Sequence, residues 1–195
     1  ALMYAPAAEE MYPADASTTI SVGAPAEGLE GAFRPQMFGG VALVVAKLLN
    51  QVQPDVAVFG EKDFQQLIVV RRLVRDLDIP VEIVGLPTIR DGHGLALSSR
   101  NAYLSAAELE TARRLNGVLA EAGAKAAAGA PVDEVEREAA EALLASGFDK
   151  VDYVAVRRAE DLGEFTGGTA EGPARVLAAA WLGRTRLIDN MAISS

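Results

Sequence analysis

Phe59-Gly60-Glu61-Lys62-Asp63-Phe64-Gln65-Gln66 puts five polar side chains and a glycine at the junction of a short apolar run and an amphipathic one. Asp55 to Phe59, opened by Pro54, reads as a buried strand, and Phe64, Leu67, Ile68, Arg71, Val74 and Leu77 follow at helical spacing. Arg71, Arg72, Arg75 and Asp76 fall on the wet side of that helix. The polar cluster thus sits where a strand turns into a helix, the place where open α/β sheets bind ligands. A helix start offers free N–H groups and a positive dipole end, Gly60 lets backbone approach a ligand, and Lys62 adds a mobile cation. Those groups suit an anion. The same residues have a plainer reading: Asp63 and Gln66 have the spacing of a capping box, and Glu61 and Lys62 can be solvated loop charges.

The elements that position this cluster follow from the pattern on either side. Residues 1–18, rich in Ala, Pro and acidic side chains, read as a loop or an orphaned edge, and residues 18–22 alternate as a short strand. Residues 23–35, with three glycines and two prolines, read as a structured loop with one helical turn. A helix is expected over 38–52, burying Val41, Val44, Val45, Leu48 and Leu49 and stopped by Pro54. Then come the strand at 55–59, the helix at 63–77 and a strand at 81–86 closed by Pro87. Helix–strand–helix–strand implies a βα array with a parallel sheet.

Arg90-Asp91-Gly92-His93-Gly94 breaks the pattern, and the domain boundary is placed there, giving domains 1–90 and 91–195. Residues 95–104 read as a loop and short strand. Ser105 and Glu108 form a capping box that opens a helix to about Ala128, and a second helix covers 132–144. Strands are expected at 149–157, 174–181 and 185–189. The fold class is α/β: the second half of a Rossmann-like parallel-sheet domain, then a small α+β domain with two helices and a three-stranded antiparallel sheet.

Composition narrows the chemistry. Half of the 195 residues are hydrophobic and the net charge is −9, shared between residues 1–90, with 7 basic and 11 acidic groups, and 91–195, with 11 and 16. No basic stripe exists, which argues against nucleic acid as a partner. An anionic ligand must therefore be met by a local cluster. The absence of cysteine excludes disulfides, thiolate catalysis and zinc–thiolate sites, and the single histidine, His93, argues against a His-based metal site or a Ser-His-Asp triad. No apolar run approaches the roughly 20 residues that span a bilayer. A cytoplasmic protein without a membrane partner is the expectation.

Gly-Glu-Lys-Asp-Phe-Gln-Gln after a strand resembles the signature of the pantothenate synthetase (pantoate–β-alanine ligase) family. Three further stretches are similar to that family in the same order: Leu29 to Pro35 with Phe38, Gly40 and Val41; Gly94-Leu95-Ala96-Leu97-Ser98-Ser99-Arg100-Asn101; and Leu182 to Asn190. The resemblance implies that the chain corresponds to the last two-thirds of the enzyme, without the first nucleotide-binding half and its His-x-Gly-His motif. Met37 stands where the family usually has histidine, and His93 where it usually has aspartate.

The resemblance further implies ATP-dependent joining of pantoate and β-alanine through a pantoyl adenylate, with AMP and pyrophosphate released. ATP with magnesium is the implied cofactor set, no protein metal site is expected, and the intact enzyme is implied to be a homodimer. Residue by residue, it assigns ATP contacts to Gly60, Glu61, Lys62, Asp63, Ile89, Leu97, Ser98, Ser99 and Arg100, and pantoate to Gln66. Lys62, Ser98, Ser99 and Arg100 are its catalytic set. Two hydroxyls and a guanidinium fork suit a triphosphate. Taken alone, Ser-Ser-Arg could be a solvated loop, with Arg100 pairing to Asp91 or capping a helix. Arg34, Arg157, Arg158, Arg184 and Arg186 read as structural or solvated. The isolated chain is expected to be inactive; the other readings are another nucleotidyl transferase sharing the fold, and a non-catalytic module that binds a small acid or a partner.

Overall fold

The structure, a computed structural model, describes residues 2–166 and 168–193; Ala1, the start of the expected first loop, lies outside them. The chain divides into two units, Ala1–Phe59 with Gln65–Val84, and Gly60–Phe64 with Gly85–Ser195.

The first unit holds α1 (Ala8–Met11), α2 (Leu29–Phe33), α3 (Met37–Val52), β1 (Val56–Gly60), α4 (Phe64–Asp76) and β2 (Glu82–Leu86), apart from the few terminal residues assigned to the second unit. β1 and β2 form a two-stranded parallel sheet. Its core joins Ala42, Val45, Ala46 and Leu49 of α3 to Val70 and Leu73 of α4, with Ala57, Phe59 and Ile83 of the strands packed against them. The buried face of α3 (Phe38, Ala42, Val45, Ala46, Leu49) is turned toward its alanines relative to the expected face; Val41 and Val44 are only partly buried.

Four expectations are corrected in this unit. The strand at 55–59 is half-open, with Val56 and Val58 48% and 56% exposed, because alternate residues face opposite sides of a sheet and only one side meets the helices. Residues 18–22 form no strand; Ile20 and Val22 pack on the core without ladder pairing. A turn of helix, α1, stands inside the expected loop at 1–18. No hydrogen bond joins Asp63 to Gln66 among the described residues. A 3₁₀ turn, Glu61–Asp63, leads into α4 in place of a capping box.

The second unit is built on β3 (Lys150–Arg158), β4 (Ala174–Leu182) and β5 (Thr185–Ile193), antiparallel in the order β3-β4-β5. Two helical segments precede the strands: α5 (Ala106–Ala112) with α6 (Arg114–Ala127), and then α7 (Val132–Ala145). Leu115, Leu119, Ala122 and Ala126 of α6, with Val135, Ala139 and Leu143 of α7, meet the inward alternation of the sheet, Val154, Val156, Val176, Ala178, Ala180, Leu182 and Leu187. The alanines let the helices lie close to β4. The expected fold class is thus the observed one.

Details differ. The helix expected from 105 to 128 is interrupted at Arg113, where ψ flattens to −23° without leaving the helical region. The Ser105–Glu108 capping box is formed, the Ser105 N–H donating to Glu108 Oε2 at 2.8 Å and the Glu108 N–H to Ser105 Oγ at 3.3 Å. The expected short strand in 95–104 reduces to one antiparallel bridge, Arg90 to Ala96, followed by a 3₁₀ turn, Ser99–Tyr103. Gly183, at φ +52°, closes the two-residue β4–β5 turn, a conformation costly for a side chain bearing Cβ. A bulge between Val151 and Tyr153 leaves Asp152 as the extra residue. Its carboxylate accepts from Trp181 Nε1 at 2.9 Å and from Arg186 Nε at 2.7 Å.

Candidate functional site

Within the second unit, Lys62, Ser98, Arg100, Asn101, Arg186 and Asp189 line one cleft, with Leu95, Leu115 and Leu187 among its apolar residues. Its space is about 300 Å³ including the open mouth. β5 is an edge strand, and Arg186, Leu187, Ile188 and Asp189 all contribute, so the cleft runs along the strand's free edge. Three cations converge there. Asp189, the carboxylate among those six, is paired to Arg90, and Arg186 is paired to Asp152, which leaves Lys62 and Arg100 as the cations able to meet an anion.

The serine-side loop is shaped by a small hairpin. Asp91 N–H donates to Leu95 O and Leu97 N–H to Ile89 O, both at 2.9 Å, and Asp91 Oδ1 receives the N–H groups of His93 and Leu95. The bond from His93 leads in holding the Asp91 carboxyl below its ordinary pKa, against the push of burial, with Leu95 and Arg113 adding to it. Gly94 sits at φ +88°, a conformation strained for an L side chain, and a Cβ there would lie 2.7 Å from Asn116 Nδ2 and force that amide to shift. Asp91 is also 3.7 Å from Arg113, so it is Arg113 that takes the role considered for Arg100. Beyond the hairpin, Ser98 Oγ accepts from the Arg100 N–H at 3.2 Å and caps the 3₁₀ turn, while Asn101 Nδ2 donates to Ala96 O at 3.0 Å. Arg100 is exposed, and among the described residues its guanidinium has no hydrogen-bonded or ion-paired partner.

The lysine-side loop is held from the sheet. Asn190 Nδ2 donates to the carbonyls of Glu61 and Lys62 at 2.9 and 2.8 Å. Arg175 donates through one nitrogen to Asn190 Oδ1 and through Nη2 to Glu61 Oε2 at 3.0 Å, and its guanidinium lies 3.8 Å from the Phe64 ring centroid. Lys62 is half-buried, and its ammonium has no hydrogen-bonded or ion-paired partner among the described residues.

Of the residues singled out in sequence, Lys62, Ser98 and Arg100 share the cleft. Gly60, Glu61 and Asp63 lie on the same loop; the Glu61 carboxylate is engaged by Arg175, and Asp63 is exposed. Ser99 opens the 3₁₀ turn and faces solvent, and Ile89 and Leu97 are 72% and 53% exposed. Gln66 lies in the first turn of α4, in the other unit. Its neighbour Gln65 is buried, accepting from Glu30 N–H at 2.9 Å and donating to Pro25 O at 3.1 Å, so it ties α4 to the loop before α2. Met37 begins α3, and the His93 side chain is exposed.

Sequence reasoning passed over Arg175, Arg90, Asp189 and Asn190. The available signal was a consecutive polar pair, Asp189-Asn190, inside an apolar strand: alternation sends the two to opposite faces, where a buried polar group needs a partner. Arg186, read as structural, is ion-paired to Asp152 yet also lines the cleft. Arg157 pairs with Glu136 and Glu164, and Arg158 with Asp161, while Arg34 and Arg184 are exposed.

A strand–loop–helix segment whose lysine lines one cleft with a serine–arginine loop beside β5 defines an α/β protein. Residues 1–192 match the pantoate-β-alanine ligase family, and the chain belongs to it. It is 60% identical over 190 residues to the pantothenate synthetase of Mesorhizobium japonicum, covering 97% of this chain and 66% of that protein. Against the Caulobacter vibrioides pantothenate synthetase it is 59% identical over 193 residues, covering 98% and 68%. A crystal structure of pantothenate synthetase from Thermus thermophilus superposes with a TM-score of 0.90 at 45% identity, over 97% of this chain and 68% of that one. The pantoate-β-alanine ligase of Francisella tularensis, complexed with β-γ ATP and β-alanine, gives 0.73 at 29% identity over 96% and 62%. The chain spans about two-thirds of the length of the curated relatives it matches.

Proposed function

We propose that these residues take part in ATP-dependent condensation of pantoate with β-alanine. The pantoate carboxylate attacks the α-phosphorus of ATP and pyrophosphate leaves; the β-alanine amine then attacks the acyl carbon of pantoyl adenylate and AMP leaves. Such chemistry needs reactants held in line and charge stabilised on phosphoryl oxygens, with no protein nucleophile. The observation that carries this reading is the meeting of Lys62, Ser98 and Arg100 in one cleft. The ATP and β-alanine complex of the Francisella tularensis relative supports it.

In this reading Lys62 and Arg100 neutralise phosphate oxygens, and the Ser98 and Ser99 hydroxyls donate to them. Gly60, Glu61, Asp63, Ile89 and Leu97 border the nucleotide, and Gln66, an amide that both donates and accepts, meets pantoate. Residues 1–90 serve as the nucleotide-binding part and 91–195 as the C-terminal domain of a cytoplasmic, homodimeric enzyme. Magnesium would enter with ATP as part of the substrate, and the positive charge it supplies would add to that of Lys62 and Arg100. On the protein side, the cleft offers cations to the phosphate oxygens.

The test is product formation by the protein as its gene encodes it, with ATP, pantoate and β-alanine supplied. Pantothenate with AMP and pyrophosphate in equal amounts is expected. Pyrophosphate without pantothenate would point to another nucleotidyl transferase.

A further inference from the structure

Two cationic loops can grip one polyphosphate only if their separation is fixed, and both loops are anchored on consecutive residues of β5. Asp189, 3% exposed, takes the Arg90 fork on both oxygens, at 2.6 and 3.0 Å. Arg90 Nη1 also donates to Gly94 O at 3.0 Å, so this pair pins the hairpin that carries Ser98 and Arg100. Asn190, also 3% exposed, spends both amide hydrogens on the Glu61 and Lys62 carbonyls, and its oxygen receives Arg175. Arg175 clamps the same loop through the Glu61 carboxylate and the Phe64 ring. The Asn190 N–H donates to Asp189 Oδ1 at 2.8 Å, which ties one anchor to the other.

Burying these charges and amides costs desolvation that apolar side chains would avoid, so core stability alone is a poor reason for them. Arg175 Nε is itself buried without a hydrogen-bond partner. The side chains at 189 and 190 leave a strand on opposite faces, and each reaches a different loop. A strand residue is more precise as a support than a loop residue.

We propose that Asp189 and Asn190, with Arg90 and Arg175 as their partners, are positioning residues that set the spacing of the Lys62 and Arg100 loops for nucleotide phosphate. The inference rests on the nucleotide reading above and adds that each anchor acts through one particular cation.

The experiment is a pair of double-mutant cycles on the encoded protein, reading KM and kcat for ATP with melting temperature alongside. Asn190→Asp keeps the shape and the oxygen that receives Arg175 but removes the two donors; Arg90→Lys keeps the charge but loses the fork. Each should raise KM for ATP by about tenfold, the equivalent of one lost contact. In a Lys62→Ala background the Asn190→Asp effect should vanish while the Arg90→Lys effect persists. In an Arg100→Ala background the pattern should reverse. If Asn190→Asp fails to fold, Asn190→Ser replaces it, an uncharged side chain that cannot span both carbonyls. Additive effects in both backgrounds, or effects confined to melting temperature, would overturn the positioning role. If Lys62→Ala and Arg100→Ala themselves leave ATP kinetics unchanged, the nucleotide reading fails and the inference fails with it.

Discussion

Arg100 and Gln66 are the residues at which the functional reading makes its sharpest demands. Arg100 is exposed and lacks a side-chain partner among the described residues, so its removal should leave the fold within about 0.5 kcal/mol. In the encoded enzyme, Arg100→Ala should lower kcat/KM by roughly 10²–10³, as for a lost oxyanion donor. Arg100→Lys should restore only part of that, because an ammonium cannot reproduce the fork. Steady-state kinetics with a melting curve checks both halves. The two glutamines separate in a similar way. Gln65→Ala strands the buried Glu30 N–H and Pro25 carbonyl and should cost about 1–3 kcal/mol of stability. Gln66→Ala should raise KM for pantoate and leave KM for ATP and the melting temperature nearly alone. The reverse assignment would return Gln66 to a structural role. In sequence these neighbours look alike; only the packing of α4 against the 25–30 loop tells them apart.

Among the elements, long periodic segments were legible and their partners were not. The helices at 37–52, 64–76 and 132–145 follow from apolar spacing, and the Ser105–Glu108 box marks its helix start. Residues 18–22 alternate like a strand, yet alternation reports only a half-buried surface and cannot supply the neighbour that makes a ladder. The open face of β1 was missed for the same reason, since Val-Ala-Val-Phe reads alike whether one or both faces are covered. The strands at 150–158, 174–182 and 185–193 were legible, but the bulge that frees Asp152 depends on register. That bulge carries a pH prediction. Burial pushes the Asp152 carboxyl up, but bonds from Arg186, Lys150 and Trp181 outweigh it, and the pKa lies below the ordinary aspartate value. A depressed folded-state pKa gives stability that is present above the unfolded value and lost as pH falls through the folded one. Acid below about pH 4 should therefore loosen β3–β5. Asp152→Asn should be less stable near neutrality and lose less on acidification, as denaturant midpoints from about pH 7 to about pH 3 would show.

At the scale of the whole molecule, an acidic chain of net charge −9 gathers Lys62, Arg100 and Arg186 at one sheet edge. The overall field disfavours an anion, so affinity must come from these local groups and should weaken with salt. The two loop motifs were legible in sequence. Their meeting was not, because Ser98 comes 36 positions after Lys62 and the β5 anchors lie more than 125 positions after the lysine. The most direct test of that meeting is titration of ATP into the encoded protein and its Lys62→Ala/Arg100→Ala double variant, at low and at raised salt. Each charge-assisted contact is worth about 1.5–3 kcal/mol, so the double variant should bind ATP at least about 10²-fold more weakly and show a flatter salt dependence. Equal ATP affinity in the two proteins, with the same salt dependence, would contradict the assignment of this cleft to nucleotide phosphate.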